Sequence, residues 1–343
     1  MTRLSRQSRV WACALLAISL LLCPVAANSG EGVAEGFALR NRNPFLQIFG
    51  LPPLQSAALT RPGETDFGIA LDLANHADAG DSALETFAID GESYFVTLSW
   101  RRRVSNWLEL GIDLPFVAHD EGFLDNAIEN WHDTFGMSNT KRRGPSNQLG
   151  FLYARDGITL YELNSPSSGV GDIQLSAALS IKEAGNAGGA TVSLRSSIKL
   201  PSGDCDDLHG SGATDFSLGV YASDTHTLFA HDLGVSGFVG AVLLGDGKVL
   251  ANIQRSAVPF AGVAARWHAT ERLGLVAQLY AQGAYFDSDL EELGGESIQL
   301  AIGLDYRPLR RTLLLKFAIV EDVTANATTD FGLHFAIRSS GDR

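Results

Sequence analysis

From about Phe67 to the C-terminus, apolar side chains recur at every second position, segment after segment. Phe67, Ile69, Leu71 and Leu73 form one row, and Ile173, Leu175, Ala177, Leu179 and Ile181 a second. Leu300, Ile302, Leu304 and Tyr306 form a third, and Phe331, Leu333, Phe335 and Ile337 a fourth. The positions between them are mostly small or polar. A period of two is the mark of a β-strand with one apolar face and one small or polar face. The rows predict strands near 67–75, 84–89, 93–104, 107–117, 148–155, 158–163, 171–183, 190–200, 213–223, 227–243, 256–268, 272–286, 296–307, 311–320 and 328–338. Ser105-Asn106, Asp156-Gly157 and Leu309-Arg310 are very short turns between neighbouring rows, whereas other rows are joined by long loops.

Two stretches break the pattern. Residues 37–66 carry Asn43-Pro44-Phe45, Gly50-Leu51-Pro52-Pro53 and Arg61-Pro62-Gly63, and proline cannot donate to a strand ladder. Residues 28–66 are therefore read as an irregular N-terminal segment, lying on a rim of the sheet or tucked inside it. In residues 118–147, Phe123, Leu124, Ala127, Ile128, Trp131 and Phe135 recur at helical spacing. Asp125, Glu129, His132 and Asp133 fall between them, which predicts an amphipathic helix of about three turns in a long loop.

The N-terminus changes what the strands imply. Arg3, Arg6 and Arg9 precede an uncharged, largely apolar run from Val10 to Leu22, and Val25-Ala26-Ala27 offers a cleavage site. This is the layout of a secretory signal over residues 1–27, too short to span as a mature helix. Cys23 would be lipidated in a lipoprotein reading, but Leu22 is a poor residue before such a cysteine. No later segment is a continuous apolar run of ~18 residues, the length of a membrane helix. An exported chain of alternating strands points instead to a barrel with lipid outside and a polar lumen. The expectation is an all-β, transmembrane, antiparallel up-and-down β-barrel of about 12 strands over residues 67–338, with a tail at 339–343.

Composition narrows the partners. Without residues 1–27, 23 basic residues face 39 acidic ones, a net charge of −16 that argues against nucleic acid. Cys13 and Cys23 leave with the signal, so Cys205 stands alone and no intramolecular disulfide can form. The hydrophobic content of 45 % is ordinary, as expected when only alternate strand residues meet lipid.

Several sequence features make the chain resemble a bacterial outer-membrane family catalogued as a domain of unknown function. They are the run Asn43-Pro44-Phe45-Leu46-Gln47-Ile48-Phe49-Gly50-Leu51-Pro52-Pro53, Asp90-Gly91-Glu92, Gly122-Phe123-Leu124-Asp125 with Trp131-His132-Asp133 and Phe135-Gly136, and Gly169-Val170-Gly171-Asp172. The likeness spans roughly residues 43 to 335. It implies an outer-membrane barrel and no particular reaction, cofactor, metal or catalytic residue. The Gly-x-Gly-Asp start and the run Lys199-Leu200-Pro201-Ser202-Gly203-Asp204 also look like those of barrels thought to pass aromatic or hydrophobic compounds. One departure stands out: such barrels usually end at a terminal aromatic read by the insertion machinery, whereas this chain continues past Phe335 to Arg343.

Candidate chemistry is sparse. Asp204, Asp206 and Asp207 crowd Cys205, His209 and Ser211, and Asp287, Asp289, Glu291 and Glu292 form a second acidic loop. Both read as solvated acidic loops, able to meet anionic lipopolysaccharide through divalent ions, since the spacing is not that of a calcium loop. His209-x-Ser211 is a weak nucleophile–base pair because flanking glycines make it a loop. His119-Asp120 and His132-Asp133 read as structural pairs. Arg101-Arg102-Arg103 would sit at a rim. Alternation turns Arg195, Lys199, Asp305 and Lys316 toward the lumen, where charges of both signs either brace the interior or select solutes. Tyr94, Trp100, Trp107, Phe116, Trp267, Tyr285 and Tyr306 fall near strand ends, where an aromatic girdle would sit. Phe123, Ile128, Trp131, His132 and Asp133 are plug or gate candidates. The leading expectation is a non-enzymatic passive pore for a small solute, hydrophobic or aromatic if the weaker likeness holds. The rivals are a closed structural or assembly barrel binding lipid or a periplasmic partner, a lipid-modifying barrel enzyme, and a soluble β-sandwich.

Overall fold

The computed structural model describes residues 35–124, 148–185, 189–228, 231–308, 312–324 and 327–341. The signal segment, the Leu309-Arg310 turn, and Ile128, Trp131, His132 and Asp133 with the helix expected around them lie outside the described residues.

Alternation becomes strands in chain order: β1 (Thr65–Asp81), β2 (Glu85–Arg103), β3 (Leu108–Asp120), β4 (Gly150–Arg155), β5 (Ile158–Leu163), β6 (Ser167–Val170), β7 (Gln174–Lys182) and β8 (Thr191–Lys199). They continue with β9 (Asp215–Leu228), β10 (His231–Leu243), β11 (Ala257–His268), β12 (Leu273–Gln282), β13 (Ser297–Tyr306), β14 (Leu313–Asp322) and β15 (Phe331–Gly341). One short helix, α1 (Glu291–Gly294), precedes β13. Antiparallel pairing runs β1-β2-β3-β7-β8 and on through β9 to β15, and β15 pairs back onto β1. Among the described residues, twelve strands thus close a barrel without a free edge, and β4, β5 and β6 are additions to it.

The seam joins Thr65 to Gly341 and Asn75 to Phe331. Residues 339–341, read from the sequence as part of a tail, extend the last strand. The segments expected at 84–89 and 93–104 are one strand, because Gly91 passes through at a φ of +131° and stays paired with His76. There β2 exchanges partners: Glu92 to Arg103 pair with β3, and Glu85 to Asp90 pair with β4. The expected strand at 171–183 is interrupted opposite Pro115, which has no N–H for the ladder. β6 pairs with β3 above this break and β7 pairs with it below, while Gly171 N donates to the Pro115 carbonyl at 2.9 Å.

The two ends of the barrel differ. Connections at 104–107, 183–190, 269–272 and 307–312 are short. At the other end β3 is joined to β7 through residues 121–173, and long loops cover 200–214, 244–256, 283–296 and 323–330.

The apolar rows face outward. Phe67 is 57 % exposed and Ile302 58 %, and Ile69, Leu98, Leu114, Leu175, Leu218, Val220 and Ile337 share that face. Trp107, Trp267 and Tyr306 are exposed near the short-turn end, at the height a girdle would occupy. Tyr285 is a correction to that set: it is fully buried and stacks on Phe49 with ring centroids 4.9 Å apart.

Candidate functional site

The inner faces do not enclose an empty bore, because residues 35–64 run through it. Lys316 Nζ donates to the Gly36 carbonyl (2.7 Å) near the short-turn end, and Phe37 N donates to Gln278 Oε1 (2.7 Å). Further on, Arg42 pairs with Asp72, and Asn41 Nδ2 donates to the Ala327 carbonyl (2.7 Å) in a loop of the opposite end. The chain turns over at 43–49, where Leu46 N and Gln47 N both donate to the Asn43 carbonyl (2.9 and 2.8 Å). It then descends. The Pro52 carbonyl accepts from Tyr280 Oη (2.8 Å), the Ser56 carbonyl from Arg195 (2.8 Å), and Glu109 accepts from Thr60 N (2.6 Å). Contacts to strands on every side place this segment inside the barrel and not on its rim. Its prolines suit that position: Pro44, Pro52 and Pro53 remove three N–H groups that an irregular buried chain would have to satisfy.

The long-loop half of the lumen is packed around a cluster of apolar side chains. Phe45 packs on Phe87 and Tyr161, and Phe49 on Tyr285 and Phe286. A charged knot fixes the turn of the plug. Lys199 is 1 % exposed, and its Nζ pairs with Asp172, lies 3.5 Å from Asp215, and donates to Ser211 Oγ (2.7 Å) and the Ala213 carbonyl (2.8 Å). Asp172 also accepts from Gly203 N (2.8 Å) and Ser211 N (3.1 Å), and Asp215 from Gly50 N (2.8 Å) and Gly245 N (3.0 Å). A Cβ on Gly50 would lie 2.9 Å from that of Asp215, so only glycine comes this close. Three motifs distant in sequence therefore meet: Asn43 to Pro53, Gly169 to Asp172, and Lys199 to Asp204. Periodicity turns Lys199 inward, but nothing in a single sequence joins these motifs.

The short-turn half is charged and holds a cavity of about 870 Å³. Ten cationic and seven anionic side chains line it, of Arg, Lys, Asp and Glu type. Arg40 (3.4 Å) and Arg101 (2.9 Å) share Asp113, Arg195 meets Glu109 (3.1 Å), and Arg266 meets Asp305 (2.5 Å).

Arg195, Lys199, Asp305 and Lys316 thus all lie on the inner face, each held by a partner. Phe123 does not plug the lumen; it is 65 % exposed, and its N–H donates to Glu92 (2.9 Å) at the long-loop end. His209 and Ser211 do not form a catalytic pair: Ser211 Oγ serves Lys199, and His209 Nε2 faces Ser167 Oγ at 3.3 Å. His119 bonds Ser93 (2.7 Å). Asp204, Cys205 and Asp206 lie close together on the exposed loop; burial, then the Asp206 charge, raises the Cys205 thiol above its ordinary value. Ser211→Ala removes one acceptor of a buried ammonium and should cost about 1.5–3 kcal/mol, read as a lower unfolding midpoint in urea; an unchanged midpoint would contradict this role.

A family model described as a protein of unknown function (DUF3187) matches residues 13–340. The chain belongs to this family. Among solved structures, an outer-membrane channel from Pseudomonas putida F1 is similar with a TM-score of 0.52 and 13 % identity, over 83 % of this chain and 97 % of that one. The NanC porin gives 0.45 and 10 %, over 81 % and 100 %, and the Ralstonia pickettii toluene transporter TbuX gives 0.36 and 10 %, over 82 % and 90 %. No curated protein matches the chain. This member of the family has the barrel fold of an outer-membrane channel.

Proposed function

We propose that the protein is a non-enzymatic channel of the outer membrane that admits a small solute by passive diffusion and is shut by residues 35–64. The observation that carries this reading is the cavity of about 870 Å³ beneath a plug, inside a closed barrel with an apolar outer belt. The belt would be solvated by acyl chains and the exposed tryptophans would sit at headgroup level. Acidic loops at the long-loop end would meet lipopolysaccharide through divalent ions, and the insertion machinery would read the Phe331-Leu333-Phe335 alternation. The lining is charged, so a polar solute fits it better than the hydrophobic or aromatic one suggested by sequence likeness.

Tight packing of Phe45 and Phe49 favours a second reading, a closed barrel with a structural or assembly role. Planar bilayers separate the two. The full chain should show rare, brief openings, and a variant lacking residues 36–62 a steady conductance at least tenfold larger. Silence from both, with the barrel still folded by its heat-dependent gel shift, would remove the channel and leave the closed barrel.

A further inference from the structure

The charge of the cavity differs in sign from that of the protein. The chain without residues 1–27 carries −16, yet the cavity lining carries ten cationic against seven anionic side chains, a net of +3. Arg42 and Arg266 in that count pair with Asp72 and Asp305 just behind the lining, which leaves a net of +1. Arg40, on the plug, and Arg101, on β2, converge on the single carboxylate of Asp113. At the mouth, Arg272 and Arg307 line the cavity and form no ion pair within 4.0 Å among the described residues, although Glu271 and Asp232 lie on the same rim. Their backbones are joined, Arg307 N donating to the Arg272 carbonyl at 2.8 Å, so the two side chains leave one place on the rim.

We propose that this cavity binds small carboxylate anions entering from the short-turn end, with Arg272 and Arg307 at its mouth and Arg40 and Arg101 deeper inside. Guanidinium groups present paired N–H donors that match a carboxylate, and they stay charged at any physiological pH. A cavity with walls of low dielectric concentrates the field of its unpaired charges, and salt screens them less there than at an open surface. The volume lies within the usual range of about 300–1,000 Å³ for small-molecule sites. The inference deepens the channel reading by naming its solute class, but binding to the cavity does not require the plug to open.

Calorimetry on the full chain in detergent, with succinate and its uncharged diamide as probes, tests the site. Succinate should bind at least tenfold more tightly than the diamide, and Arg272→Glu with Arg307→Glu should abolish that preference without altering the heat-dependent gel shift. Equal binding of both probes, or a preference unaffected by the double substitution, would overturn the proposal. Bilayer recordings of the openings of the full chain in a tenfold KCl gradient give an independent reading. A reversal potential favouring chloride supports the site, and one favouring potassium counts against it. Absence of conductance removes the channel reading alone, because calorimetry still decides whether the anion binds.

Discussion

Lys199→Met should lower the unfolding free energy by about 3–5 kcal/mol, the usual cost of removing one partner of a buried ion pair. Asp172 and Asp215 would keep their backbone donors but lose the ammonium between them. The damage should reach the plug, because Asp215 holds Gly50 and the turn at 43–49 rests on that contact. Urea unfolding should show the lower midpoint, and limited proteolysis should cut within 43–54 in the variant and not in the native chain. Adding Asp172→Asn should restore part of the loss by removing one uncompensated charge. An unchanged midpoint together with an uncut plug would show that the knot is not what fixes the turn.

Ile302→Arg should cost about 2–4 kcal/mol if the outer belt lies at the depth of acyl chains. Ile302 is 58 % exposed on β13, so the same substitution facing water would stay within about 0.5 kcal/mol. The measurement is folding into lipid vesicles followed by urea unfolding, with Thr227→Arg at an exposed strand end as the control. A neutral Ile302→Arg would leave the belt facing water or protein and end the membrane reading.

The strands were legible because alternation is a local property. β13 was expected at 296–307 and runs from Ser297 to Tyr306, and the inward direction of Arg195, Lys199, Asp305 and Lys316 follows from the same parity. Three features were not legible. Asp90-Gly91-Glu92 has the composition of a turn, but β1 pairs with it throughout and keeps the strand continuous. Prolines in 37–66 excluded strand without saying where the segment lies, since a rim and a lumen both tolerate irregular chain. The knot depends on residues far apart along the chain, as Gly50 and Asp215 are at a separation of 165 positions, and no periodicity links them.

The seam between β1 and β15 carries a consequence for biogenesis. It joins the two ends of the strand array, Thr65 to Gly341, so it is among the last contacts a growing sheet can make. The segment inside the lumen immediately precedes β1, and both of its described ends lie at the short-turn end. Its turn can therefore enter through that mouth after the seam has zipped, with no loop drawn through the wall. Plug insertion is then the final step: pulsed hydrogen exchange should protect the amides of residues 43–50 no earlier than those of Phe67 to Leu73.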